Sequence, residues 1–222
     1  AIMALPQGYS TTTLLLSMNG DILEELTSNV INSLGLVNLV TLELVDMKIH
    51  TIQAHTFDTM RKLESLTITK NSINDIQAGA FKGLDQLYYL DLSKNQLQNI
   101  SSGVFEGLVG LRHLNLSSNN IWYIHLHMFD GLRIKGVCQV KNSHSILDLS
   151  ENQIKMADEE VFWKVSFFNQ LKIRFAAWDN DFSLSLNFKT LCSLSRIIMN
   201  TMVDYGETNI KMQGLYNITH FQ

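Results

Sequence analysis

Sliding the sequence against itself by 24 residues brings Leu39, Leu63, Leu87 and Leu111 into register, each followed by the same order of apolar positions. A fixed period of this length leaves few architectures open, because each copy is one small unit that cannot bury its own apolar face and must stack on its neighbours. The pattern is plainest where Leu87, Leu90, Leu92, Asn95, Leu97, Ile100, Phe105 and Leu108 take repeat positions 1, 4, 6, 9, 11, 14, 19 and 22. The following copy repeats it with Leu111, Leu114, Leu116, Asn119, Ile121, Ile124, Phe129 and Leu132, and the preceding one with Leu63, Leu66, Ile68, Asn71, Ile73, Ile76, Phe81 and Leu84. The copy from Leu39 keeps Leu42, Leu44, Ile49, Ile52 and Phe57, but Met47 stands where the asparagine belongs.

The string Leu-x-x-Leu-x-Leu-x-x-Asn-x-Leu is that of the leucine-rich repeat. Positions 4 and 6 are two apart, so they share one face of a short strand while position 5 points to the other. Asparagine at position 9 sits where the strand ends, and its amide can both donate to and accept from backbone groups that no ladder reaches. Phenylalanine at position 19 fills the far side of each coil. These positions together predict an α/β solenoid: a leucine-rich repeat horseshoe with a concave parallel β-sheet and an irregular convex side.

The flanks are less regular. Leu16, Met18, Leu23 and Leu26 fit positions 4, 6, 11 and 14 of an earlier, slightly longer copy, with Asp21 in the asparagine place. After Leu132 the register breaks at residues 133–143 and resumes with Leu147, Leu149, Asn152, Ile154 and Phe162. A last copy places Phe175, Ala177, Asn180 and Phe182 at positions 4, 6, 9 and 11, and Leu184 to Met202 then has helical spacing. The expected division is an N-terminal flank 1–11, repeats 12–182 with an insertion at 133–143, and a cap at 183–222 closing the exposed end of the stack.

About 170 residues therefore resemble extracellular leucine-rich repeat proteins. The 24-residue form with Phe at position 19 is similar to that of Toll-like receptor ectodomains, small matrix proteoglycans and secreted insect immune proteins. The resemblance implies recognition of proteins, glycans or microbial ligands, and it implies that the chain is not an enzyme. A formal charge of −4 and a pI near 6.0 give no basic excess for nucleic acid. Asn, Lys and Asp interrupt every apolar stretch before a membrane span is reached. Residues 1–6 lack the order of a signal peptide, which leaves either a removed leader or a fragment.

Chemistry-bearing residues are few. Cys138 and Cys192 can be read as an internal bridge, as a loop and a buried thiol, or as an intermolecular pairing through Cys138. His125 and His127 alternate on the convex side without a third donor that would complete a metal site, and Cys138 with His144 lacks an orienting group for nucleophilic catalysis. Asp158, Glu159 and Glu160 form a charge run suited to a solvated convex face. No cofactor and no metal are expected. Asn99, Asn115 and Asn217 head Asn-x-Ser/Thr sequons, the mark of glycosylation in a secreted chain.

Function is expected at positions 3, 5, 7 and 8, which the core leaves free. Column 5 reads Ser17, Glu43, Thr67, Asp91, Asn115, Asp148 and Ala176; column 3 reads Thr41, Ser65, Tyr89, His113, Ile146 and Arg174. Column 8 adds Asp46, Lys70, Lys94, Ser118, Glu151 and Asp179. The candidate partner-binding set is Glu43, Thr67, Tyr89, Asp91, Lys94, Arg112, His113, Asp148, Arg174 and Trp178, with Tyr89, Asp91, Lys94, Arg112 and His113 as its centre. A protein or glycan ligand, a dimer and a secreted or cell-surface location are the expectations. An intracellular scaffold and a matrix or adhesion protein are the alternatives.

Overall fold

The computed structural model describes residues 12–17, 23–35, 37–132, 145–158 and 161, and the backbone of 170–176 and 181–187. The insertion at 133–143, Cys138, His144, Cys192, Phe162 and most of the cap lie outside them.

Each copy contributes one strand to a single sheet: β1 (Thr13–Ser17), β3 (Thr41–Val45), β5 (Ser65–Thr69), β7 (Tyr89–Asp91), β8 (His113–Asn115), β10 (Ile146–Ile154), β12 (Gln170–Ala176) and β13 (Asp181–Asn187), in that order across the sheet. All neighbours pair in parallel except β12 and β13, which are antiparallel. The register is that of the repeat: Leu42, Leu66, Leu90, Leu114 and Leu147 line up, and each is buried. Along β3 and β5 buried and half-buried residues alternate, as period two requires when one face is covered. The opposite side is built of turns, with short strands β2 (Glu25–Leu26), β4 (Thr51–Ile52) and β6 (Asp75–Ile76) in one sheet and β9 (Tyr123–Ile124) with β11 (Met156–Ala157) in another. The α-helix α1 (Ser28–Ser33) is entered through Thr27, whose hydroxyl accepts from the Val30 amide. Little of the α/β expectation is thus helical, and the architecture is a parallel β-solenoid.

Two columns hold the coils together. Phe57, Phe81, Phe105 and Phe129 stack with ring centroids 5.8, 6.4 and 6.3 Å apart and planes within 9–11° of parallel. Strands in a sheet repeat at about 4.8 Å, so each coil is thicker at its phenylalanine than at its strand. Wedges stacked in this way bend the solenoid and put the large sheet on its concave side. The second column is the asparagine ladder. Asn95 Nδ2 donates to the carbonyls of Ile68, Leu92 and Ser93, while its Oδ1 accepts from the Ile73 amide. Asn71, Asn119 and Asn152 likewise tie each coil to the one before it. Glycine at position 21 allows the coils to touch: an added Cβ on Gly131 (φ +97°) would lie 2.7 Å from the Glu106 Cα, and on Gly83 3.0 Å from the Asp58 Cα.

Three flank assignments need correction. In β1, Leu14 pairs with Leu42 and Leu16 with Leu44, so Leu14 and Leu16, not Leu16 and Met18, hold positions 4 and 6. Leu15 rather than Ser17 therefore joins column 5, where it is 60% exposed. Consecutive leucines at 14–16 offered two registers, and pairing with β3 selects one. At the other end Leu171 and Ile173 pair with Leu147 and Leu149, so the last parallel strand begins four residues before the expected Phe175 register. Phe182 pairs with Phe175 inside an antiparallel hairpin, and Leu184–Asn187 belong to β13 rather than to a helix. The alternation in Asp-Phe-Ser-Leu-Ser-Leu-Asn is a strand pattern that outweighs the wider helical spacing around it.

Candidate ligand-binding face

The strands present Thr41, Ser65, Tyr89, His113 and Ile146 as one row across the sheet, and Leu15, Glu43, Thr67, Asp91, Asn115 and Asp148 as the next but one. Lys172 takes register position 5 in β12, and Arg174 falls at position 7 rather than in the row of Tyr89. Trp178 lies outside the described residues. The structure brings together Tyr89, Asp91, His113 and Asn115. Tyr89 and His113 rings are 6.1 Å apart on adjacent coils, and the Tyr89 hydroxyl donates to Asp91 Oδ2 at 3.2 Å. The same carboxylate oxygen accepts from Asn115 Nδ2 at 3.1 Å. Burial, then the Asp91 charge and hydrogen bond, with Glu43 further off, push the Tyr89 phenol up to about 12. It is a hydrogen-bond donor at every physiological pH.

Position 5 is less free than the pattern implies. Asp91 Oδ1 accepts from the Ser93 amide, Asn115 Oδ1 from Ser117 and Asp148 Oδ1 from Ser150, each bond closing a small turn two residues on. Position 8 is constrained too. Asp46, Lys70, Lys94, Ser118 and Glu151 all have φ between 53° and 57°, a left-handed backbone uncommon outside glycine. Its recurrence in five successive coils leads the chain out of the strand and sets Lys70 and Lys94 side by side along one edge of the face. The Lys48 ammonium lies 2.8 Å from Asp46 and holds that carboxyl below the usual range, mainly through their hydrogen bond. Arg112 is exposed at position 2, next to Tyr88, which is 43% exposed and falls outside the expected columns. Its adjacency to Tyr89 was the available signal.

On the convex side His125 Nε2 lies 2.7 Å from the Ile100 carbonyl, so it must donate, and its Nδ1 accepts from the His127 amide at 3.2 Å. Both ring nitrogens are thereby used, and the imidazole replaces a backbone amide in the short convex ladder. His127 Nδ1 meets Asp130 at 2.7 Å. Asp158 accepts from the Tyr123 hydroxyl and the Leu126 amide, bonds that lower its pKa. Among the described residues no cluster of three His, Cys, Asp or Glu could hold a metal.

The family model for the leucine rich repeat matches residues 37–97 and 85–134, the stretch with the unbroken register. Residues 37–134 are leucine-rich repeats. Among solved structures, a chain in the crystal structure of the TLR13–ssRNA13 complex aligns with a TM-score of 0.53 at 22% identity. The alignment covers 71% of this chain but only 24% of that one, so this chain spans about a quarter of its length. The leucine-rich repeat domain of APL1B aligns with a TM-score of 0.47 at 20% identity, over 64% of this chain and 36% of that one. No curated protein matches the sequence. The likeness to a Toll-like receptor is one of fold. No helix among the described residues is long and apolar enough to cross a membrane.

Proposed function

We propose that this leucine-rich repeat protein is a non-enzymatic recognition module that binds a protein or glycan on its concave sheet, on the extracellular side of the cell. The observation that carries the reading is the cluster of Tyr89, Asp91, His113 and Asn115 at the centre of an open eight-stranded face. Strands about 4.8 Å apart give a surface long enough for the roughly 800 Å² per partner of an ordinary interface, yet too open to enclose a small molecule. The TLR13 structure holds ssRNA, but the carboxylates of Glu43, Asp91 and Asp148 along the middle of this face oppose a polyanion.

Ligand captured from the native source by the immobilised chain is expected to bind Tyr89→Ala weaker by about 1 to 2 kcal/mol, with a nearly unchanged melting temperature. Trp122→Ala, on the other side, serves as the control. Loss of binding in the control alone would refute the concave site. Asp91→Ala is a poorer probe because it also removes the turn bond to Ser93.

The extracellular reading has its own test. Asn99 is exposed, whereas the Asn115 amide is engaged on both sides by Asp91 and Ser117. Glycopeptide mass spectrometry of the native protein is expected to find a glycan on Asn99 and none on Asn115. A chain without any glycan, recovered from the cytosol, would favour the intracellular scaffold.

A further inference from the structure

Across the concave sheet the charges keep a fixed order. In column 5 the carboxylates of Glu43, Asp91 and Asp148 fall on alternate coils, separated by Thr67 and Asn115. Alternate coils are about 10 Å apart along the stack. Between β3 and β10 the cations lie to the sides, Lys70 and Lys94 on the position 8 edge between Asp46 and Glu151, and Arg112 at position 2; beyond Asp148 the column ends on Lys172 of β12. Of the aromatic groups Tyr89 is hydrogen-bonded to the middle carboxylate, His113 lies 6.1 Å from the Tyr89 ring on the next coil, and Tyr88, next to Tyr89 in the chain, is exposed.

We propose that this face takes a cationic segment of a protein partner, running along the stack in the polyproline II conformation with Lys or Arg at every third residue. The inference rests on the concave-face reading and adds the chemistry of the ligand. Polyproline II rises about 3.1 Å per residue with three residues per turn, so every third side chain points the same way at about 9.3 Å intervals. An extended β-strand repeats a face at about 6.7 Å and misses the spacing. A helix with cations seven residues apart repeats at about 10.5 Å, overshooting on a surface whose curvature brings facing side chains closer than their backbones. Exposed aromatic side chains are what polyproline II segments dock against, since a preformed helix without internal hydrogen bonds loses little entropy on binding. Beside Asp91, Lys70 and Lys94 on one edge and Arg112 on the other repel a basic segment and keep its middle on the central column.

Three fluorescent peptides of equal length and charge test this, with Arg at every second, third or fourth position and proline between, titrated by anisotropy against the full chain. The third-residue peptide is expected to bind most tightly, to weaken with added salt, and to lose roughly threefold in affinity on Glu43→Gln. Glu43→Gln removes one charge without touching the Asp91 turn, and an unchanged melting curve would confirm that it folds. Equal affinity for all three spacings, with binding still lost in Tyr89→Ala, would overturn the polyproline II register and leave the concave site standing. Binding indifferent to Glu43→Gln and Tyr89→Ala but lost in Trp122→Ala would overturn both. No binding of any peptide, or direct binding of labelled oligo-uridylate to the chain at comparable affinity, would overturn the cationic-ligand inference, while captured native ligand still reports on the face itself.

Discussion

Phe105→Ala is expected to lower the stability of the chain by about 3 to 5 kcal/mol, the largest loss among single substitutions in the stack, measured as a fall in the denaturation midpoint. The ring is fully buried and stacks on Phe81 on one side and Phe129 on the other, at 6.4 and 6.3 Å. Truncation therefore opens a void that two neighbouring coils share. The backbone around it cannot collapse to fill the space, because close contact at Gly107 and Gly131 already fixes the distance between coils. Phe105→Leu should recover much of the loss. A stability for Phe105→Ala within about 1 kcal/mol of the parent would mean that the phenylalanine column does not carry the packing assigned to it.

Asn95→Leu is expected to cost on the order of 3 kcal/mol, although it adds apolar surface at a position only 7% exposed. Its amide serves the carbonyls of Ile68, Leu92 and Ser93, and its oxygen serves the Ile73 amide. Leucine would leave these groups without the bonds they now make in the interior, where each unmet group costs about 1 to 3 kcal/mol before the apolar gain is counted. Asn95→Asp separates donor from acceptor, since a carboxylate keeps the acceptor and loses the donor. Thermal melts of Asn95→Leu that match the parent would contradict the ladder.

The central coils were legible in the sequence because one constraint recurs there without interference. Leucine or isoleucine at positions 4, 6, 11 and 14, with phenylalanine at 19, leaves a single register, and the strands from Thr41 to Asn115 keep to it. The ends were not, for a local reason in each case. Leu14, Leu15 and Leu16 satisfy the pattern in two ways, and only pairing with β3 decides between them. Around Phe175 an alternating segment turns back to close the sheet with an antiparallel strand, a choice made by the exposed edge rather than by the repeat. In the candidate site, membership of the columns could be read off the period. The internal bonds of Asp91 could not, because they depend on Tyr89 and Asn115 lying on the same and the next coil. Nor could the left-handed position 8, which is filled by Asp, Lys, Lys, Ser and Glu without a glycine to announce it.

Met47, standing in the asparagine column, gives the stack a direction. Four successive coils, those of Asn71, Asn95, Asn119 and Asn152, reach back to their predecessors through an asparagine, and the joint between β1 and β3 lacks that clasp, with a buried thioether in its place. In a quasi-one-dimensional array, where stability is a sum over neighbouring interfaces, the weakest interface decides where separation begins. Of the five joints between β1 and β10, the one between β1 and β3 is therefore the first to open, while the middle of the face stays intact. Thr27 and the short helix beyond it are confined to that same first coil, so local opening there leaves the row of Tyr89 and Asp91 undisturbed.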